Sequence, residues 1–376
     1  MKILFLTPGC FDKGGISRYS RYQVTALREL FGEKNIRVLS LFGPEQDSFE
    51  EPFKVNWYAG SNVILQQIRF IGQTLWQIIK WRPNVIHIAH VNFSGFAHVL
   101  AKLFGIKTVL NVYGLEVWSG LSADAAYGLR KVNFVISDCH YTADYIEQEN
   151  YRKKGSTAVI WDCVDLERFF PGMVNEKVRV KYGIPTRTDH FVVMSLGRLS
   201  KAAAHKGYDR LIKVFKLLSK KHDKARLVIA GKGDSREAYE EMVKHYDLSD
   251  KVIFTGMVDD KDLPDLYRCA SVFSLVSDRG KGRGEGIPLT PLEAMACGIP
   301  VIVGNQDGSR EAVIDNLNGS VIDPFDSEEH IRAFEALLCS PALLEEKSWS
   351  AADIAQTHFS YLNFKNKHED FYSVLS

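Results

Sequence analysis

The sequence predicts an α/β protein built from two Rossmann-like, doubly wound parallel sheets, and three observations lead there. Short apolar runs recur along the chain: KILFLT, RVLSLFG, NVIHIA, TVLNVY and NFVIS in the first half, then FVVMSLG, RLVIAG, KVIFTG, SVFSLVS and PVIVG in the second. Runs this short and this continuously apolar suit strands covered on both faces, as parallel sheets require. Helix-length segments such as 17–31 and 207–222 separate them, giving a β-α alternation. The alternation breaks near ERFFPGMVNEKVRVKYGIPTRTD, where proline, glycine and charge interrupt it, and 376 residues suffice for a core on each side.

The expected division is 1–171 for the first domain and 172–357 for the second, with a terminal helix over 358–376. In that helix Phe364, Phe371 and Leu375 recur at helical spacing and need a surface to cover. Neither a repeat nor a low-complexity tract is present, which removes solenoid and disordered readings.

Composition narrows the function. Lys and Arg number 47 against 46 Asp and Glu, so no charge excess points to nucleic acid, and a small-molecule partner is expected. The six cysteines include no Cys-x-x-Cys pair, which signals neither a zinc site nor a disulfide framework and suits a reducing, cytoplasmic setting. The N-terminus carries no cleavage pattern and no apolar run approaches the ~18 residues of a membrane span. The protein is expected to be soluble or peripheral.

The segment GEGIPLTPLEAMACGIPVIVG places Glu285 and Glu293 around a Gly-Ile-Pro-Leu-Thr-Pro turn. It follows a strand, where ligands of such sheets bind. TPLEAMAC reads as a helix with Thr290 as N-cap, Pro291 at N1 and Glu293 at N3, a capping box. Its free N–H groups would favour an anion, and an acid on either side could hold hydroxyls, as in a diphosphate flanked by sugars. Upstream, SLGRLSKAAAHKGYDRL offers Arg198 and Lys206, with Lys201 as a competitor, as cations that could neutralise a diphosphate.

EGIPLTPLE followed by AMACGIPVI resembles the Glu-x7-Glu signature of the family 4 glycosyltransferases, retaining enzymes of GT-B architecture. The resemblance implies that the two domains face each other across a cleft, with an acceptor-binding first domain, a donor-binding second one and a last helix that returns to the first. It implies that Glu285 lies by the donor sugar, that Glu293 binds ribose hydroxyls, and that Gly286, Ile287, Leu289 and Thr290 offer N–H groups between them. Pro288, in a place where many members have glycine, cannot donate. GRL and KG match the family elements that put Arg198 and Lys206 on the diphosphate, while Gly14 and Gly15 would meet the donor phosphates and Val258 the nucleobase. Catalysis would then rest on Glu285, Arg198 and Lys206. Tyr113, where the family often has histidine, and Glu116 are the acceptor-side candidates, with a plain helix-start acid as the other reading of Glu116.

The resemblance implies transfer of a hexose from a nucleotide diphosphate sugar, foremost UDP-glucose, to a saccharide or lipid-linked saccharide acceptor, with no metal and no cofactor. An epimerase or hydrolase of the same fold, or a non-catalytic nucleotide-sugar binding protein, are the alternatives. His87 and His90 lack a third ligand and read as core or loop residues. Asp260 and Asp262 read as helix-capping acids rather than a metal-binding pair. The segment VILQQIRFIGQTLWQIIKWRP reads either as a buried helix or as a weak peripheral attachment to the inner membrane face. Residues 1–170 hold 19 cations and 16 acids, a small excess.

Overall fold

A computed structural model describes residues 1–12, 14–44, 55–58 and 62–375. The chain forms two compact units, Met1–Cys163 with Tyr361–Ser376, and Val164–Ser360. The change of unit falls at Val164 rather than 172, because Val164 donates to the Phe359 carbonyl at 2.9 Å and bridges Ser360. Phe169 is buried against Tyr267 of the same unit, ring centroids 6.0 Å apart.

In the first unit seven parallel strands run in the order β3-β2-β1-β4-β5-β6-β7: β1 Ile3–Thr7, β2 Ile36–Ser40, β3 Asn56–Trp57, β4 Val85–Ile88, β5 Lys107–Val112, β6 Phe134–Ser137 and β7 Thr157–Val159. In the second, six run β10-β9-β8-β11-β12-β13: β8 Phe191–Leu196, β9 Ala225–Ala230, β10 Val252–Gly256, β11 Val272–Leu275, β12 Val301–Gly304 and β13 Gly319–Ile322. Every apolar run read as a strand is one. The strands without such a run are β3, β7 and β13, which are short and partly exposed or glycine-led.

The order reverses between β1 and β4 and again between β8 and β11. At each reversal neighbouring crossovers leave on opposite faces, so a crevice opens at the carboxyl ends of the strands. Close backbone packing sharpens the second one. Gly231 has φ +133°, and a Cβ there would lie 1.9 Å from the Gly197 carbonyl oxygen, so the loops after β8 and β9 touch only because position 231 is glycine.

The helix Tyr361–Ser373 belongs to the first unit. It buries Phe364, His368 and Tyr372, and Lys365 and Tyr361 both bond Glu29 at 2.9 Å. Phe371 lies against Phe134, and Leu375 is buried.

Two readings need correction here. The helix Val63–Trp81 is buried on one face only: Gln66, Phe70, Thr74, Gln77, Ile78 and Trp81 turn inward while Ile64, Ile68, Ile71, Trp76 and Ile79 face solvent. The helix expected at 17–31 begins at Gly15, and the Ser17 hydroxyl bonds the Gly9 carbonyl at 3.0 Å and Asp12 Oδ2 at 2.5 Å.

Candidate functional site

The second unit's reversal point gathers three side chains from two loops. Lys206 and His205 close the turn Lys201–Lys206 after β8, and Gly207, at φ +74°, turns the chain into the helix Tyr208–Lys221. Glu285 comes from the loop after β11. Its Oε1 accepts from Lys206 Nζ at 2.6 Å and from His205 Nε2 at 2.7 Å, while Oε2 has no partner among the described residues. The Glu285 side chain is 19% exposed, so the carboxylate is largely desolvated yet keeps one oxygen for a ligand. Burial works to raise its pKa, but the Lys206 charge and the His205 bond outweigh burial and hold it at about 2. Glu285 is therefore an anion throughout the physiological range.

An anchor that the sequence reading missed holds this loop. Buried Asp307, after β12, accepts from the Glu285 backbone N–H at 2.9 Å, the Ser277 hydroxyl at 2.7 Å, and the Ser309 N–H and hydroxyl at 3.0 and 2.5 Å. The Gly308 N–H returns a bond to the Glu285 carbonyl at 3.0 Å. Burial raises the Asp307 pKa, and those donors oppose it. His205 was missed as well. Its carbonyl accepts from the Asp278 N–H at 2.9 Å, and Asp278 pairs with Arg210 at 2.6 Å. Asp307 sits in an Asn-Gln-Asp-Gly-Ser turn whose sequence reads as loop chemistry alone, and only the sheet brings it to Glu285.

The helix after this loop is Leu289–Ala296. Its N-cap is Pro288, without a side-chain cap, and the Thr290 hydroxyl has no partner among the described residues, so the expected capping box is absent. A cap at Thr290 would have started the helix two residues later, at Pro291. Glu293 is buried within the helix and accepts from the Tyr267 hydroxyl at 2.7 Å. The first turn, with Leu289 and Thr290, presents the positive end of the helix beside Gly286 and Ile287. Arg198 is exposed and has no hydrogen bond or ion pair among the described residues, whereas the competitor Lys201 is exposed and tied through its backbone N–H to Asp234 at 2.9 Å. Val258 is half-buried just past β10, after Gly256 at φ +72°.

In the first unit, the Gly14 N–H expected at a phosphate is taken by Asp12 Oδ1 at 2.6 Å, and a Cβ on Gly15 would meet nothing within 4 Å. Tyr113 is a core residue: its hydroxyl accepts from Asn111 Nδ2 at 3.0 Å, and burial pushes its pKa far up. Asn111 also joins Gln23 and buried His87, whose other nitrogen bonds Tyr372. Glu116 turns back to accept from the Tyr113 N–H at 2.5 Å, as a helix-start acid does. His90 caps its own short turn through Nδ1. Asp260 and Asp262 make no caps. Asp260 pairs with Arg168 at 3.0 Å and Asp262 with Lys181 at 2.6 Å. Among the described residues no group of three or more His, Cys, Asp or Glu is placed to hold a metal ion.

Comparison with known proteins agrees with this geometry. The family model described as glycosyl transferases group 1 matches residues 176–352, and that of glycosyltransferase family 4 matches 13–168. The chain is similar to a mannosylfructose-phosphate synthase of Agrobacterium fabrum, 34% identical over 210 residues, which are 53% of this chain and 44% of that one. It is also similar to a GDP-mannose-dependent α-(1-6)-phosphatidylinositol monomannoside mannosyltransferase of Mycolicibacterium smegmatis, 29% identical over 71% of this chain and 69% of that one. The chain thus spans under half of the first relative. The fold matches the Anabaena protein HepE, crystallised with UDP, at a TM-score of 0.80 over 100% of both chains and 17% identity. With one family model on each sheet-bearing unit and the acids of its signature at the β8/β11 reversal, the chain belongs to the family 4 glycosyltransferases, with GT-B architecture.

Proposed function

We propose that the protein is a retaining hexosyltransferase that moves a sugar from a nucleotide diphosphate donor to a hydroxyl of a saccharide or lipid-linked saccharide. The observation that carries this reading is the ionised Glu285, clamped on one oxygen by Lys206 and His205 beside the start of the helix Leu289–Ala296. In this reading Glu285 Oε2 accepts from a donor-sugar hydroxyl and Glu293 from the ribose. The diphosphate lies on the helix start, where N–H dipoles and the Lys206 and Arg198 charges stabilise the leaving group. The departing phosphate oxygen takes the acceptor's proton on the same face, so that no step calls for a metal.

The acids at the two ends recognise sugars, and neither reads the base. UDP-glucose is the donor that the family resemblance implies. GDP-mannose is the second reading, favoured by the GDP-mannose dependence of the Mycolicibacterium relative. Melting temperature measured with UDP, GDP, ADP, dTDP and CMP in turn separates these, since a ligand at ~100 times its dissociation constant adds about 2.7 kcal/mol. A rise with UDP alone supports UDP-glucose and a rise with GDP alone GDP-mannose. Turnover of the preferred donor in EDTA, with release of nucleotide diphosphate matched to acceptor glycosylation, is the expected result. Release without a glycosylated acceptor makes the protein a hydrolase, and Arg198→Ala should lower turnover about 10² to 10³-fold.

A further inference from the structure

The second unit holds a cavity of about 720 Å³ that lies apart from Glu285. Its walls are the end of the helix Leu289–Ala296 with Cys297 and Gly298, the segment 166–172 and the helix Pro341–His358. Glu285 stands before the first turn of the helix Leu289–Ala296 and the cavity meets its last, so eight helical residues, about 12 Å of rise, separate them. The volume falls within the roughly 300–1,000 Å³ of small-molecule sites.

One helix face sets the chemistry of a ligand. Glu345, Trp349 and Asp353 are spaced four residues apart on the helix Pro341–His358, which puts them on one side, and all three line the cavity. The Trp349 side chain is 73% exposed, with a carboxylate one turn to either side. Neither carboxylate has a hydrogen bond or ion pair among the described residues. Lys347, between them in sequence, turns instead to the Asn316 and Gly319 carbonyls. Arg187, the cation that lines the cavity, donates to the Arg268 carbonyl at 3.2 Å, and Arg268 pairs with Asp265 at 2.8 Å. The two acids therefore keep their charge for a ligand, about 12 Å apart along the helix axis. Between them the indole attracts cations and covers aliphatic chain equally well. A phosphate-bearing ligand would meet both acids and is disfavoured.

We infer that this cavity binds a linear polyamine, with one ammonium group at Glu345, another at Asp353 and the alkyl chain along Trp349. The inference stands apart from the sugar-transfer reading, because its test involves neither donor nor acceptor.

Calorimetric titration of the intact chain with spermidine in low-salt buffer should show saturable one-to-one binding that weakens as salt is raised. Butylamine, with a single ammonium group, should bind about fivefold more weakly. Trp349→Ala should weaken spermidine binding about fivefold. Glu345→Gln combined with Asp353→Asn should weaken it about fivefold or more. These three positions are exposed, so the melting temperature of each variant without ligand should match that of the parent. Glu241→Gln with Glu346→Gln removes the same charge at exposed positions outside the cavity and should change nothing. No saturable heat with spermidine, or equal binding of butylamine, overturns the inference. Undiminished binding in either cavity variant does so too, and equal weakening by the control pair would mean bulk attraction of a polycation and likewise overturn it.

Discussion

Glu285 is useful as a ligand because Lys206 and His205 share one of its oxygens and leave the other unengaged. The same arrangement fixes its behaviour with pH. Its folded pKa of about 2 lies below an ordinary carboxylate value, so the pairing contributes stability above about pH 4.5 and loses it as pH falls toward 2. Urea unfolding at pH 7, 4 and 3 checks this: the difference between the parent and Glu285→Gln should be constant above pH 5 and shrink below it. Turnover of Glu285→Gln should drop about 10² to 10³-fold at neutral pH if the carboxylate grips the donor, as donor assays will register. Asp307 acts through Glu285. An asparagine there keeps one acceptor and turns an NH2 toward either the Glu285 or the Ser309 N–H, leaving a buried donor unmatched. Asp307→Asn should cost about 1–3 kcal/mol in urea titration. Its kcat should fall with the displaced Glu285 loop, where a purely structural role would leave kcat unchanged.

Among the elements, the helix Leu289–Ala296 shows where local sequence misleads. Thr-Pro-Leu-Glu has the letters of a capping box, but Glu293 is drawn inward by Tyr267 and Thr290 keeps a buried hydroxyl without a partner among the described residues. Replacing that hydroxyl by a methyl removes a desolvated polar atom at little change of shape. Thr290→Val should therefore raise unfolding stability by up to about 1 kcal/mol, and a loss of stability in the same titration would mean that the hydroxyl is satisfied. The helix Val63–Trp81 misleads in the opposite way. Its apolar residues were legible, but periodicity gives the angular positions of a stripe and not which side faces the sheet. Arg37 and the Phe70 neighbourhood decide that by pairing with Gln77 and packing on Phe93.

At the scale of the molecule, both units bury histidines in the neutral form. Burial lowers His87 to about 3, His368 to about 4 and His330 to about 4. The unfolded chain takes up these protons near pH 6.5 and the folded one does not, so stability must fall as pH drops from about 6.5 toward 4. Each histidine adds a slope of about 1.4 kcal/mol per pH unit in that window. Urea midpoints at pH 7.5, 6 and 5 should decline in turn, and a flat profile would mean that these rings are already solvated. The window lies above the Glu285 window, so the two contributions separate. Truncating Tyr372, which packs the returning helix against His87, should cost about 3–5 kcal/mol in the first unit.

The sequence by itself determined the architecture of this protein and the spacing of its paired acids. Strand runs such as FVVMSL and VIVG carry their own burial pattern, and the Glu285 to Glu293 segment carries its spacing, because both are properties of neighbouring residues. Lys206 and Arg198 were legible for the same reason, as cations immediately after a strand. Only the tertiary structure decided that Lys206 and His205 close on Glu285 while Arg198 stays exposed, since the partners lie some 80 residues apart and meet through the order of β8 and β11. It likewise assigned Asp307 to the Glu285 loop, placed Tyr113 in a buried network and turned an apolar helix face outward. Each of these outcomes depends on which groups compete for one buried donor, acceptor or surface, and that competition exists only once the sheets have assembled.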